Sequence, residues 1–183
     1  DARIDTDDRG HTFSYRVAPV VGTPSTLHEL VDESRTLDVR IPRLVEDGVG
    51  TYFNRAVVSS QAFARTFPNL ETMAQIVASR EWLANGLERA VPDFLKAATS
   101  QQVEGAIYHL TDDLWIIPAL KQFPTDHLSL VYNQTSNDHD SDEAIGQLIA
   151  AGHPEGRFKI RSKASIMHNK FLVLTEKGKP KAV

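Results

Sequence analysis

The sequence predicts an α/β fold, a mixed sheet flanked by helices and preceded by a small β-rich N-terminal piece. Residues 1–47 show the two-residue alternation of strands, whereas helical and strand patterns alternate beyond about residue 69. Such alternation is typical of a sheet with parallel strands at its centre. Hydrophobic residues make up 41% and charged residues 24% of the 183 residues, which is the range of globular proteins.

The N-terminal piece is predicted to consist of strands. Apolar residues alternate over residues 11–21 and again over residues 37–41, with turn residues between them. Two or three strands in about 45 residues cannot bury both of their faces. Residues 1–47 therefore either pack on another element or are the remnant of a β-sandwich. We expect a hinge at residues 46–48.

The second part is predicted to alternate between helices and strands. One helix face is formed by apolar residues over residues 83–98, and Pro92 should kink that helix or delay its start. Gly152 should end the last helix. The remaining elements are a strand at 103–110, a helix at 112–122, a strand at 128–132, a helix at 142–151, strands at 157–161 and 166–174, and a turn at 176–180.

Charge is distributed unevenly along the chain. The net charge is −4, yet residues 157–183 hold eight Lys and Arg residues against Glu176 alone. That segment therefore carries +7, which leaves −11 for the first 156 residues. The asymmetry predicts an anionic partner near the C-terminal end. A solvated basic edge strand and tail is the other interpretation.

Several classes of chemistry are excluded. The chain has no cysteine, which removes disulfides, thiolate metal sites and cysteine nucleophiles. The phosphate loop, serine elbow, His-Glu-x-x-His and dinucleotide motifs are absent. No window approaches the roughly 18 apolar residues of a membrane span, and both a cytoplasmic and a secreted location stay open. Because no initiator Met is present, we expect the sequence to begin inside a longer gene product.

Two further features carry alternative interpretations. The acidic tract at residues 137–143 has the carboxylates to bind a hard cation, or it is a solvated loop at a helix N-terminus. His109 ends a predicted strand and is followed by Asp112 and Asp113. It is either catalytic or a hydrogen-bonded histidine of the core or its rim.

Residues 165–174 provide the strongest indication of function in the sequence. As a strand covered on both sides, they place His168 and Lys170 side by side on a mostly apolar face. A buried lysine needs a carboxylate or a bound anion. A neighbouring ammonium favours the neutral form of an imidazole, which leaves a ring nitrogen free to attack. The pair predicts a histidine nucleophile beside a phosphate-binding lysine, as a phosphodiester substrate requires.

The run Ile166-Met167-His168-Asn169-Lys170-Phe171-Leu172-Val173 resembles the first half of the HxKxxxxD signature of the phospholipase D superfamily. Residues 105–108 and 128–133 resemble the strands that precede that signature. Residues 54–63 resemble the entry into the catalytic domain of bacterial members that carry an N-terminal β-sandwich. The resemblance implies that residues 50–183 form an incomplete phospholipase D-like catalytic half.

The resemblance also implies a reaction mechanism for this chain. It implies a covalent phosphohistidine, no metal, no cofactor, and a composite site built from two motif copies. One histidine attacks phosphorus while the other protonates the leaving group. His168 is then the nucleophile or the acid, and Lys170 holds the non-bridging phosphate oxygens. Thr175 stands where the signature has Asp, with Glu176 beside it, and no second His-x-Lys occurs in the sequence.

We therefore expect a phosphodiesterase that acts on a phospholipid or a nucleic acid. Its second motif would come from a homodimer partner or from sequence beyond Val183, so the isolated monomer should be inactive. An unpaired sheet edge is expected beside the motif. The alternative is a degenerate, non-catalytic module that binds an anionic polymer or surface. The motif does not distinguish lipid from nucleic acid.

Overall fold

A computed structural model describes residues 10–55, 61–135, 137, 139–161 and 168–182. The chain divides into two units, Asp1–Tyr52 and Phe53–Val183. The interpretation of residues 1–47 as a sandwich remnant and of residues 50–183 as a catalytic half stays a prediction.

The first unit contains short antiparallel strand pairs. From residue 10 onward, where its description begins, the strands are β1 (Thr12–Val17), β2 (Val20–Val21), β3 (His28–Glu29), β4 (Arg35–Arg40), β5 (Val45–Glu46) and β6 (Val49–Gly50). The pairs are β1 with β4, β2 with β3, and β5 with β6. The strand predicted over residues 11–21 is interrupted before Val20, where Pro19 has no N–H to donate to a ladder.

The segment predicted as a hinge is a hairpin turn. Asp47 and Gly48 connect β5 to β6 and have φ angles of 52° and 79°. Positive φ at both central positions is the requirement of a type I′ turn, and Asp-Gly meets it. Next to this turn the guanidinium of Arg40 binds the carboxylate of Glu46, and this hydrogen bond lowers the pKa of the Glu46 carboxyl.

The second unit is a mixed α/β structure, as the sequence predicts. Its helices are α1 (Gln61–Thr66), α2 (Met73–Ala84), α3 (Leu87–Ala97), α4 (Ile116–Gln122) and α5 (Asp142–Ala150). Its strands are β7 (Gln102–Ile107), β8 (Leu128–Asn133), β9 (Phe158–Arg161), β10 (Lys170–Glu176) and β11 (Lys179–Ala182). None of the helices in the described ranges is long and apolar enough to cross a bilayer.

The strands described in this unit form one sheet in the order β11-β10-β7-β8-β9. β7, β8 and β9 are parallel, with α4 and α5 as the connections between them. β10 is antiparallel to β7, and β11 is antiparallel to β10. The parallel strands predicted for the centre of the sheet are confirmed. β11 pairs only with Leu174–Glu176 at the far end of β10, so the unpaired edge expected beside the motif stays a prediction.

The single helix predicted over residues 83–98 is also wrong. α2 ends at Ala84, and the next two residues, Asn85 and Gly86, are left-handed with φ of 55° and 105°. A right-handed helix cannot continue through two such residues, so α3 starts afresh at Leu87. Pro92 lies within α3 and does not set its start.

The hydrophobic core lies between one face of the sheet and helices α3, α4 and α5. Alternate residues of β7 and β8 point into it, because successive side chains of a strand face opposite sides. Its largest fully buried apolar side chains are Leu95, Val103, Leu120, Leu128, Leu130 and Leu148. This packing holds the parallel strands rigidly and so positions the residues that follow them.

The opposite face of the sheet is more open. Phe171 in β10 and Val131 in β8 expose 43% and 36% of their surface. The prediction that the motif strand is covered on both sides is therefore wrong for the part of the chain that the structure describes. In the described part of the chain, the hydrophobic core lies on the face toward α3, α4 and α5.

Candidate active site

The predicted site lies where β10 begins beside the end of β7. Lys170, the first residue of β10, pairs with Ile107, the last residue of β7. Because the two strands are antiparallel, the residues before Lys170 meet the residues after Ile107. Ligands of open α/β sheets bind outside the carboxyl ends of the parallel strands. The strand register thus places His168 and Lys170 at that edge.

His168 and Lys170 are both exposed. The strand starts at Lys170, so His168 precedes it rather than lying in it, and residues 165–167 are outside the described residues. The prediction that the pair itself is buried is wrong, although Leu172 and Leu174, which follow on the same face of β10, are partly buried against the core. The Lys170 ammonium reaches solvent, where it needs no buried counter-charge, and Nζ donates to the backbone oxygen of His168 at 3.1 Å.

Tyr108 connects the two predicted site residues. Its ring centroid lies 4.5 Å from that of His168, and Lys170 Nζ lies 5.0 Å from the same centroid. The second distance is that of a cation–π contact. Tyr108 directly follows β7. Sequence analysis did not assign it to the site, although an aromatic residue beside His109 near the end of a predicted strand was a usable signal.

His109 belongs to the same cluster. Its ring stacks on Tyr108 with 3.9 Å between centroids, and Nε2 lies 3.6 Å from Asp140 Oδ2. The aspartates that follow His109 in sequence do not supply its carboxylate. Asp112 and Asp113 instead form ion pairs with Arg80 at 3.1 and 3.2 Å.

Ser141 fixes the backbone around His109. It is fully buried, and its Oγ accepts a hydrogen bond from the Leu110 N–H at 3.1 Å. The same hydroxyl donates to the Tyr108 carbonyl at 3.4 Å. These two backbone groups flank His109 on either side. Sequence analysis missed this role, since nothing local to Ser141 reveals a partner more than thirty residues away.

In the acidic tract at residues 137–143, of which residue 138 lies outside the described residues, Asp142 is engaged in contacts within the protein. Both oxygens of Asp142 accept from Gln134 Nε2, at 2.9 and 2.8 Å, and His139 Nδ1 lies 2.9 Å from Oδ2. Over the described residues, no group of three or more His, Asp or Glu side chains is arranged to hold a metal ion.

Thr175, at the position of the signature's Asp, lies outside the cluster. It is five residues further along β10, which places it about 16 Å from Lys170 at roughly 3.3 Å per residue. Its side chain is buried, and Oγ1 donates to the Gln102 carbonyl at 3.4 Å. The neighbouring Glu176 accepts from Lys181 Nζ at 2.9 Å. Neither residue reaches His168 along this strand.

The described lysine and arginine side chains of the basic C-terminal segment lie on more than one part of the sheet. Lys159 and Arg161 lie in β9, whereas Lys179 and Lys181 lie in β11, and these strands are the opposite edges of the sheet. Four strand spacings of about 4.8 Å separate the two edges by about 19 Å. Of the basic residues in the described part, Lys170 is the one placed at the His168 cluster.

A separate cleft of about 440 Å³ opens beside α2, α3 and α4. The guanidinium of Arg80 lies 5.4 Å from the ring centroid of Trp115 at this cleft. His168 and Lys170 are not among the lining residues, which include Arg55, Arg80, Leu83, Leu87, Asp112 and Trp115. The cleft is therefore not part of the candidate site.

Comparison with known proteins finds no match to this chain among family models, curated proteins or solved structures. The support for a function is therefore the chemistry of the cluster and the sequence motif that it contains.

Proposed function

We propose that the chain is a phosphodiesterase of the phospholipase D type, with His168 as the nucleophile and Lys170 as the phosphate-binding residue. The observation that carries the proposal is the pairing of an exposed imidazole with an exposed ammonium around Tyr108. The pair lies at the carboxyl ends of the parallel strands, where α/β sheets place their ligands.

The proposed reaction has two halves. A ring nitrogen of His168 attacks phosphorus, and the bond from phosphorus to the leaving oxygen breaks as a phosphohistidine forms. Water then attacks the same phosphorus and releases the imidazole. Covalent catalysis of this kind divides one difficult displacement into two easier ones.

Lys170 supplies positive charge where the phosphoryl oxygens become more negative. An ammonium has three N–H donors. One of them is directed to the His168 carbonyl, which holds the ammonium beside the nucleophile. The others are available to non-bridging oxygens, and such preorganised charge stabilises the transition state.

The reaction also needs a group that protonates the leaving oxygen. The family resemblance implies a second His-x-Lys motif, from a homodimer partner or from another part of a longer protein. The substrate is the phosphodiester of a phospholipid or of a nucleic acid, since His168 and Lys170 contact only the phosphoryl group that both share.

The test is hydrolysis of bis(p-nitrophenyl) phosphate over a range of protein concentrations, with the mass of the active species measured by light scattering. Alkaline quenching, which preserves phosphohistidine, should trap a phosphoryl adduct that peptide mass spectrometry assigns to His168. No turnover at any concentration, either by this chain or by a longer protein that supplies the second motif, would overturn the proposal. Binding of single-stranded DNA or anionic vesicles without turnover would favour the non-catalytic module instead.

A further inference from the structure

One aromatic ring contacts both residues of the proposed site. The centroid of the Tyr108 ring lies 4.5 Å from that of the His168 ring, and Lys170 Nζ lies 5.0 Å from the same centroid. His168 and Lys170 are themselves exposed. A long exposed side chain samples many rotamers, and restricting it to one of them costs conformational free energy. The tyrosine ring therefore limits where both the imidazole and the ammonium can lie.

Tyr108 is itself held at its backbone and at its ring. It directly follows β7, whose last residue, Ile107, pairs with Lys170. Its carbonyl accepts a hydrogen bond at 3.4 Å from the hydroxyl of Ser141, which is fully buried. The His109 ring stacks on the Tyr108 ring with 3.9 Å between centroids and 21° between planes. A side chain restrained by such neighbours can fix the geometry of the groups that it contacts.

The contact between the ring and the ammonium is electrostatic. The face of an aromatic ring is negative, so a cation within about 6 Å of its centroid is attracted to it. Lys170 Nζ also donates to the backbone oxygen of His168 at 3.1 Å. The ammonium is thus held by the Tyr108 ring and by a carbonyl group. Since it has three N–H donors, it can hold this position and still donate to an anion.

We infer that Tyr108 is a positioning residue of the site, whose ring holds the Lys170 ammonium beside the His168 imidazole before a phosphate group binds. This inference rests on the proposed function. Charge that is oriented in advance needs no reorganisation when the phosphoryl oxygens become more negative, and it therefore stabilises the transition state more effectively. Tyr108 takes no part in bond making or proton transfer, and it acts through Lys170.

The test varies the charge on the ring face while keeping the ring. Tyr108→Phe retains the aromatic face, and its tungstate affinity, measured by isothermal titration calorimetry, should lie within about twofold of that of the unmodified protein. Replacing Tyr108 by mono-, di- and trifluorinated phenylalanines withdraws electron density from the face in steps. The dissociation constant for tungstate should rise with each added fluorine, by about threefold to thirtyfold over the series.

Tyr108→Leu removes the ring. It should weaken tungstate binding at least as much as the most fluorinated ring does. In the assembly that shows turnover, it should also lower kcat/KM for bis(p-nitrophenyl) phosphate by about 10- to 100-fold. Because the fluorinated rings keep the shape of phenylalanine, their series decides the question if Tyr108→Leu does not fold.

Two controls separate positioning from a structural role. In Lys170→Ala, the dependence of tungstate affinity on fluorination should disappear, since the cation that the ring holds is absent. Phe171→Leu removes a different aromatic ring from the residue that follows Lys170 in β10. Its side chain is 43% exposed and faces the other side of the sheet, so tungstate affinity and turnover should stay unchanged.

The outcomes separate the two proposals. If the unmodified protein neither binds tungstate nor hydrolyses the diester, the proposed function and this inference fail together. If it binds tungstate without turnover, the proposed function fails, and the fluorinated series still shows whether Tyr108 positions Lys170. Equal tungstate affinities across the series, or a dependence on fluorination that persists in Lys170→Ala, would overturn the assignment of Tyr108 alone.

Discussion

The ring of Tyr108 packs against the ring of His168, with 4.5 Å between centroids and 37° between ring planes. The two residues are far apart in sequence and meet because β10 pairs antiparallel with β7, with Lys170 opposite Ile107. The candidate site is thus a product of the β7–β10 register. A shift in that register would separate the tyrosine from the histidine and the lysine.

His168→Ala and Lys170→Ala should each reduce diester hydrolysis by about 10³-fold or more. The first removes the proposed nucleophile, and the second removes the charge that stabilises the transition state. Steady-state turnover of bis(p-nitrophenyl) phosphate measures both losses. Lys159→Ala, which changes an exposed lysine in the edge strand β9, is the matched control and should leave turnover unchanged.

EDTA should leave the same activity intact, because the proposed reaction proceeds through a histidine. The assay is the turnover of bis(p-nitrophenyl) phosphate with and without the chelator. Activity that disappears with EDTA and returns with a divalent cation would contradict the mechanism and would direct attention to the acidic tract at residues 137–143.

Tungstate or sulfate should bind within hydrogen-bond distance of His168 and Lys170. An ammonium and an imidazole beside each other offer charge-assisted donors to a tetrahedral anion. Tungstate is located by its anomalous scattering in soaked crystals, and Lys170→Ala crystals provide the comparison. Anions found elsewhere on the protein but not at this pair would show that the site is wrongly assigned.

Gly105→Ala should destabilise the second unit by about 1–3 kcal/mol. A Cβ at Gly105 would lie 2.6 Å from Leu172 Cδ2 and 2.7 Å from the Phe171 carbonyl oxygen, so β7 and β10 would have to move apart. Gly146→Ala in α5 is the control. Outside its chain neighbours and the backbone of its own helix, no atom lies within 4 Å of its added Cβ, and a helical alanine should stabilise by roughly 0.5–1 kcal/mol. Urea denaturation measures both, and equal effects would contradict the predicted clash.

His153 should make stability depend on pH. The residue is 2% exposed, and burial lowers the pKa of its imidazole. Above the unfolded-state pKa of about 6.5, the imidazole is neutral in both the folded and the unfolded protein, so His153 contributes its full share of the stability. As the pH falls through that value, the unfolded state binds a proton that the folded state resists. The free energy of unfolding should therefore decrease on acidification until the lowered folded pKa is passed.

His153→Leu tests this assignment. The variant lacks the 3.0 Å hydrogen bond between Nε2 and the Leu120 carbonyl. Its free energy of unfolding at pH 8 should therefore be lower by about 1–3 kcal/mol. The variant should then lose less stability than the unmodified protein between about pH 8 and pH 5.5. Urea titrations at both pH values give the comparison, and an unchanged pH dependence would show that His153 does not contribute to it.

Elements with a clear local pattern were predictable from the sequence. The predicted helix at residues 142–151 and strand at 128–132 match α5 and β8 to within one residue. Their apolar residues are spaced as expected for a helix with one buried face and for a buried central strand. The start of β10 was not predictable, because apolar residues extend the pattern before Lys170 and only strand pairing defines where the ladder begins.

The sequence by itself determined the α/β class of the second unit and the presence of one His-x-Lys motif, since periodicity and spacing are local properties of the chain. Only the tertiary structure decided which residues surround that motif. Tyr108, His109, Asp140 and Ser141 come from a strand end and a helix start that meet His168 through sheet pairing and loop packing. Contacts between residues distant in sequence depend on the register of strands and the packing of helices, and neither is encoded in any single segment.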